Sequence, residues 1–219
     1  MLCINGWQTN YSVNRTLTRC AGEHRLPQAL EQERNVNWEA LRARYKPNQV
    51  TVLLVGESPP AGETYFFAGN SKLFLATQNA FKRFLGRSFK NPEAFLRFFS
   101  EQGFFLEDLC SLPVNRLANS DRRRLRREAI PSLASRLKST EPSAVVVVMK
   151  GIKKQVTSAM AAAELHGVPS FTLPFPAFGH TGEYEAELYS ALCSLHERGI
   201  IRSSANKLLQ STRSPERRR

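Results

Sequence analysis

Short apolar runs alternate along this chain with longer stretches whose apolar positions recur at helical spacing. The runs at 50–55, 104–109, 144–149 and 168–173 each read as a strand, the first buried, the second and fourth short. With its consecutive valines, 144–149 is the most apolar, and it is assigned a central place in a sheet. Helical spacing predicts a helix over 28–45, with Leu30, Trp38, Leu41 and Tyr45 on one face. It predicts another over 73–85, closed by Gly86. Asn91 as N-cap and Pro92 in the first turn open a third helix, which ends at Gly103. A helix over 121–138 is interrupted by Pro131, which kinks it or starts a new segment. Two more helices are expected, over 152–166 and 183–197, stopped by Gly167 and Gly199.

Strands that alternate with helices need crossover connections. The expected fold is therefore α/β, a parallel sheet with helices on both faces. Its informative loops then share one edge: 56–67, 110–116 and 173–182. In open α/β sheets ligands bind at that edge, beyond the carboxyl ends of the strands. The expected organisation is an N-terminal arm and helix over 1–47, an α/β domain over 48–202, and a basic, disordered tail over 203–219.

Charge narrows the partner. The chain has 31 Lys and Arg against 19 Asp and Glu, a formal net charge of +12. This favours a polyanion, with nucleic acid first and an anionic membrane surface second. Part of the charge sits in the terminal arginine run. The segment Arg122-Arg123-Arg124-Leu125-Arg126-Arg127 reads equally well as a solvated basic face or as a contact for phosphates. Lys150, Lys153 and Lys154 fall at the start of a helix on the ligand edge, where cations and free backbone N–H groups favour phosphate.

No stretch approaches the ~20 apolar residues that span a bilayer, and the chain start lacks signal-peptide order. A soluble, cytoplasmic, monomeric protein without a membrane partner is expected. Cys3, Cys20, Cys110 and Cys193 are scattered, with no C-x-x-C pair, so no metal, iron–sulfur cluster or other cofactor is expected.

The first loop, Gly56-Glu57-Ser58-Pro59-Pro60, lacks phosphate-loop spacing. Ser58, Asp108 and His180 occur in the Ser…Asp…His order of α/β-hydrolases, but Pro60 stands where a nucleophile elbow needs Gly. A serine hydrolase using Ser58 therefore ranks below the readings that follow. Phe66 and Phe67 are either core residues or a stacking platform.

Taken together, the loops resemble the uracil-DNA glycosylase superfamily. Gly56 to Pro60 is similar to a Gly-Glu-x-Pro-Gly first motif, ending in Pro60 instead of Gly. Asp108 to Arg116 resembles a polar strand end running to an Asn-Arg pair, Asn115-Arg116. Val146 to Gly151 falls where that family has an apolar strand ending in Gly. Leu173-Pro174-Phe175-Pro176 stands in place of His-Pro-Ser-Pro.

The resemblance implies a three-layer α/β/α sandwich with a four-stranded parallel sheet. The activity it implies is N-glycosidic cleavage of uracil or a related deaminated base in DNA. Gly56, Pro59, Phe66, Phe67, Asp108 and Asn115 would then line the base pocket, and Glu57, Ser58 and His180 would form the catalytic set. Glu57 is the carboxylate that faces developing positive charge or activates water, and His180 stabilises the leaving base. Lys150, Lys153, Lys154 and Arg116 would contact DNA. A non-catalytic nucleic-acid-binding relative of the same fold is the alternative.

Overall fold

The computed structural model describes residues 38–202, all within one compact unit that spans Arg34–Arg219. The arm, the whole 28–37 segment, Cys3, Cys20 and the basic tail lie outside the described residues. Four strands form one all-parallel sheet in the order β2-β1-β3-β4. They are β1 (Val52–Gly56), β2 (Phe104–Asp108), β3 (Ala144–Val147) and β4 (Ser170–Thr172). β1 and β3 are internal, and both are buried at every position. A run of aliphatics without polar alternation has no other stable place, because it needs cover on both faces.

Seven α-helices surround the sheet: α1 (Trp38–Arg44), α2 (Lys72–Leu85), α3 (Pro92–Glu101), α4 (Asn119–Glu128), α5 (Ile130–Thr140), α6 (Lys153–Ala162) and α7 (Thr181–Glu197). Right-handed crossovers put the β1–β2 connection on one face of the sheet and the β2–β3 and β3–β4 connections on the other. Accordingly α2 packs against α7, and α5 against α6. The result is a three-layer α/β/α sandwich, as expected from the alternation of runs.

Local chemistry sets the helix ends. Ser71 caps α2 by accepting from the Phe74 amide at 3.1 Å, and Asn91 caps α3 by accepting from Ala94 at 2.8 Å. Of the two alternatives for 121–138, the structure takes the new segment: the helix breaks at Ala129, and Pro131 sits in the first turn of α5, where its missing N–H costs nothing. α6 is shorter than 152–166, because a 3₁₀ turn at Lys150–Ile152 precedes it and Ala163 closes it.

The core is aromatic. Phe81 on α2 meets Phe104 of β2 edge-on, with ring centroids 4.9 Å apart, and also contacts Phe95 and Phe99 of α3. Its one buried hydroxyl pair is satisfied. Thr77 donates to the Leu73 carbonyl at 2.7 Å, so its oxygen is free to accept from the buried Tyr184 hydroxyl at 2.8 Å.

Gly103, which opens β2, has φ +76, and a methyl added there would lie 2.4 Å from Thr51 Oγ1. Gly86, at the end of α2, has φ +64 but open space around it. Gly86→Ala should therefore cost roughly 1 kcal/mol for the left-handed backbone alone. Gly103→Ala should cost about 2–3 kcal/mol, because steric overlap adds to that strain. Urea unfolding of the two variants checks this. Equal losses would mean that the contact with Thr51 relaxes freely.

Candidate functional site

All four strands deliver their loops to the same edge. Backbone bonds continue the ladder past the strand ends: Leu109 donates to the Gly56 carbonyl, Cys110 to that of Glu57, and Leu173 to that of Val147. These loops, with the first turn of α2 (Ser71 to Leu73), enclose a cavity of about 1080 Å³. Gly56, Glu57, Ser58, Pro59, Phe66, Asp108, Asn115, Lys150 and His180 all line it, so the sequence-based set largely converges.

Glu57 does not stand free in that cavity. Arg122 of α4 binds it with two nitrogens, Nε to Oε1 at 2.5 Å and Nη2 to Oε2, and Arg126 adds Nε to Oε1 at 2.6 Å. Burial raises the carboxyl's pKa, but the hydrogen bonds from the two guanidiniums outweigh it and hold Glu57 below the ordinary carboxylate range. A carboxylate whose oxygens are engaged by two cations is a weak base. This pairing argues against Glu57 as the group that activates water, and it ties α4 to the first loop.

Asp108 is the opposite case. It ends β2 opposite Gly56 of β1, is only 8% exposed, and accepts no hydrogen bond from the described residues. Gly56 allows this approach, since a methyl there would lie 2.5 Å from Asp108 Oδ1. Burial pushes the Asp108 carboxyl up to about 7; Glu107 and Glu57 add to the shift, while Arg42 and Arg136 oppose it. The next residue back, Glu107, is buried too, but it is paired with Arg136 and, at 3.2 Å, with Arg42. Asp108 is thus a buried, unpartnered acid facing the cavity, titrating near neutrality.

The remaining candidates separate by position. Phe66 touches the cavity from a 3₁₀ turn at Phe66–Ala68, only 2% exposed and with its ring packed against Phe67, Phe74 and Phe99. Phe67, its neighbour, turns into the core against Tyr45 and Phe105 and does not line the cavity, so it is no stacking platform. The Ser58 hydroxyl accepts from the Val114 amide at 3.3 Å. His180 is exposed at the rim and bonds Glu183 at 2.9 Å through Nδ1. No Ser58–His180–Asp108 relay is assembled, which removes the geometric basis of the hydrolase reading.

Lys150 lines the cavity but is paired with Glu183 at 2.7 Å and with Glu187 at 3.7 Å. Lys153 and Lys154 are exposed outside the cavity, as is Arg116. Sequence reasoning missed Asn70, Lys72, Arg122, Met149 and Glu183 as lining residues. Asn70 had a local signal, an amide side chain closing a loop: it accepts from the Tyr65 amide at 2.8 Å and donates to the Glu63 carbonyl at 3.2 Å.

Among the described residues no group of three or more His, Cys, Asp or Glu converges to hold a metal ion. Cys110 is buried, which pushes its thiol up to about 11 and leaves it a poor nucleophile. No described helix is long and apolar enough to cross a membrane. The chain matches no protein-family model and no curated protein.

Glu57→Gln leaves two guanidiniums without their counter-charge and should lower stability by about 2–3 kcal/mol at pH 7. Because the folded-state pKa of Glu57 is depressed, its contribution is full at neutral pH and is lost as pH falls through the folded value. The gap between wild type and variant in urea unfolding should therefore close in acid. A variant with an unchanged midpoint at pH 7 would show that the clamp adds no stability.

Proposed function

We propose that the chain is a DNA-base glycosylase-like protein, which takes a base out of the nucleic-acid stack into the cavity and cleaves its N-glycosidic bond. The observation that carries this reading is Asp108, a buried and unpartnered carboxyl at the strand edge of a cavity lined by an aromatic ring. A base removed from the stack needs a ring to lie against and a polar group to read its edge. Phe66 supplies the ring. A neutral carboxyl offers one donor and one acceptor, which pairs with a base edge bearing an acceptor beside a donor, as uracil and hypoxanthine have. Asn115 adds a second polar side chain to the lining.

The chemistry follows from charge. Hydrolysis breaks the bond from the sugar C1′ to the base nitrogen, with the electron pair going to the base, while water bonds to C1′ and releases a proton; preorganised donors facing the negative charge on the departing base accelerate the step. Protonated Asp108 donates to the leaving base, whereas ionised Asp108 repels it. An acid titrating near the working pH suits such a donor. At the rim Phe178 is 98% exposed with φ +52, and Phe175 is 43% exposed. These rings are placed to stack on bases beside the one in the cavity.

A second reading, a base-binding protein that does not cleave, is favoured by one observation. The carboxylate closest in role to a water-activating base, Glu57, is engaged by Arg122 and Arg126.

Oligonucleotides carrying uracil, hypoxanthine or xanthine, single- and double-stranded, test both readings through the appearance of abasic sites. Excision should be fastest below about pH 7 and should fall as Asp108 loses its proton above it. Asp108→Asn keeps a neutral donor and acceptor in nearly the same shape, and should flatten that fall. Absence of abasic sites from every substrate, with tight binding to them retained, selects the non-cleaving reading. A wild-type rate that instead rises through pH 7 would assign Asp108 the opposite role, a base.

A further inference from the structure

α4, like the short α1, has no buried residue. Its hold on the domain is mainly electrostatic: Arg122 and Arg126, one turn apart, both reach Glu57, and Arg126 Nη1 also lies 3.5 Å from the Gly151 carbonyl. Leu125 adds a partly buried apolar contact. With Arg122 and Arg126 turned inward, helical geometry carries Arg123 and Arg127 onto the adjoining outward face, again one turn apart. Both are exposed, and neither has an ion-pair or hydrogen-bond partner among the described residues. Arg124, by contrast, is neutralised by Asp121 and Glu128.

The contact between Arg126 and Gly151 sets the end of α4 beside the start of α6. There Lys153 and Lys154 are exposed and carry no ion pair among the described residues. We infer that Arg123, Arg127, Lys153 and Lys154 form a phosphate-binding ridge outside the cavity, which holds the backbone of a nucleic-acid strand while Glu57 fixes the ridge to the cavity's first loop. The inference rests on the nucleic-acid part of the proposed function and not on its chemistry. Charge complementarity selects the occupant. Two exposed cations one helical turn apart on α4, with a second exposed pair at the start of α6, concentrate positive charge beside the cavity's first loop. A phosphodiester backbone carries the opposite charge, and arginine matches phosphate in fork geometry as well as in charge.

The test uses an undamaged single-stranded oligonucleotide, with affinity measured between 50 and 200 mM salt. Each phosphate contact contributes about 0.7 to the slope of log affinity against log salt for a single strand. R123Q/R127Q should therefore reduce the slope by about 1.4, and K153Q/K154Q by a similar amount. R87Q/K90Q serves as a control of equal charge change; these residues follow the end of α2 remote from the cavity, about 20 Å along the helix from its first turn. The control should leave the slope unaltered.

Equal losses in the control and the ridge variants would overturn the ridge, because net charge alone would then explain the binding. An unaltered slope in R123Q/R127Q would overturn it too. So would loss of binding to phosphatidylserine vesicles while oligonucleotide binding stays intact. The outcome separates from that of the proposed function: a reduced slope in a chain that releases no base upholds the ridge and rejects the chemistry. Excision that proceeds with the slope unaltered does the reverse.

Discussion

Three carboxylates, Glu57, Glu107 and Asp108, are brought to the desolvated edge of two neighbouring strands, where an isolated negative charge is costly. Two of them are answered by arginines: Glu107 by Arg42 and Arg136, Glu57 by Arg122 and Arg126. The third is answered by none at hydrogen-bonding distance, and its response is to hold its proton until about pH 7. This unequal division governs much of the rest. Glu107 ties α1 and α5 to the edge strand β2, which lets that strand be buried although it has a neighbour on only one side. Glu57 ties α4 to the first loop. Asp108, left over, faces the cavity.

The division also explains why a helix as polar as α4 stays in place. Most helices in this domain are held by an apolar face: α2 buries Leu73, Phe74, Ala76, Ala80 and Phe81. α4 has no fully buried residue, and its five arginines divide three ways: Arg122 and Arg126 reach Glu57, Arg124 pairs with Asp121 and Glu128, and Arg123 and Arg127 are exposed. A buried ion pair is weak evidence for stability but strong evidence for position, because removing either partner strands the other's charge. Here the position so fixed brings one side chain of a basic helix, Arg122, into the cavity lining.

What the sequence conveyed, and what it withheld, follows from the range of the interactions. Strands and loops were readable because a buried parallel strand needs consecutive aliphatics and its loop needs Gly or Pro. The N-caps at Asn91 and the stops at Gly86 and Gly103 are likewise local. The division between Phe66 and Phe67 was not readable, because adjacent residues of a 3₁₀ turn point in different directions and the sequence does not say which faces the cavity. The Glu57 clamp was not readable either. It joins residues 65 and 69 positions apart, and a run of arginines looks the same whether it faces solvent, a carboxylate or a phosphate. His180, by contrast, has a local partner: Glu183, one helical turn later, bonds it at 2.9 Å.

These arrangements bear on how a cationic protein can present a nearly neutral pocket to an anionic ligand. Were Glu57 free, it would add a negative charge to the cavity lining. On the proposed function, an ionised Asp108 would face the leaving base as that base acquires charge. Pairing removes the first and protonation removes the second, so the cations outside the cavity act on an approaching polyanion without opposition from carboxylates within it. On this argument the first loop's most conspicuous acid matters most through the positive charge it holds in place, and the acid that meets the ligand is the one at the end of the neighbouring strand.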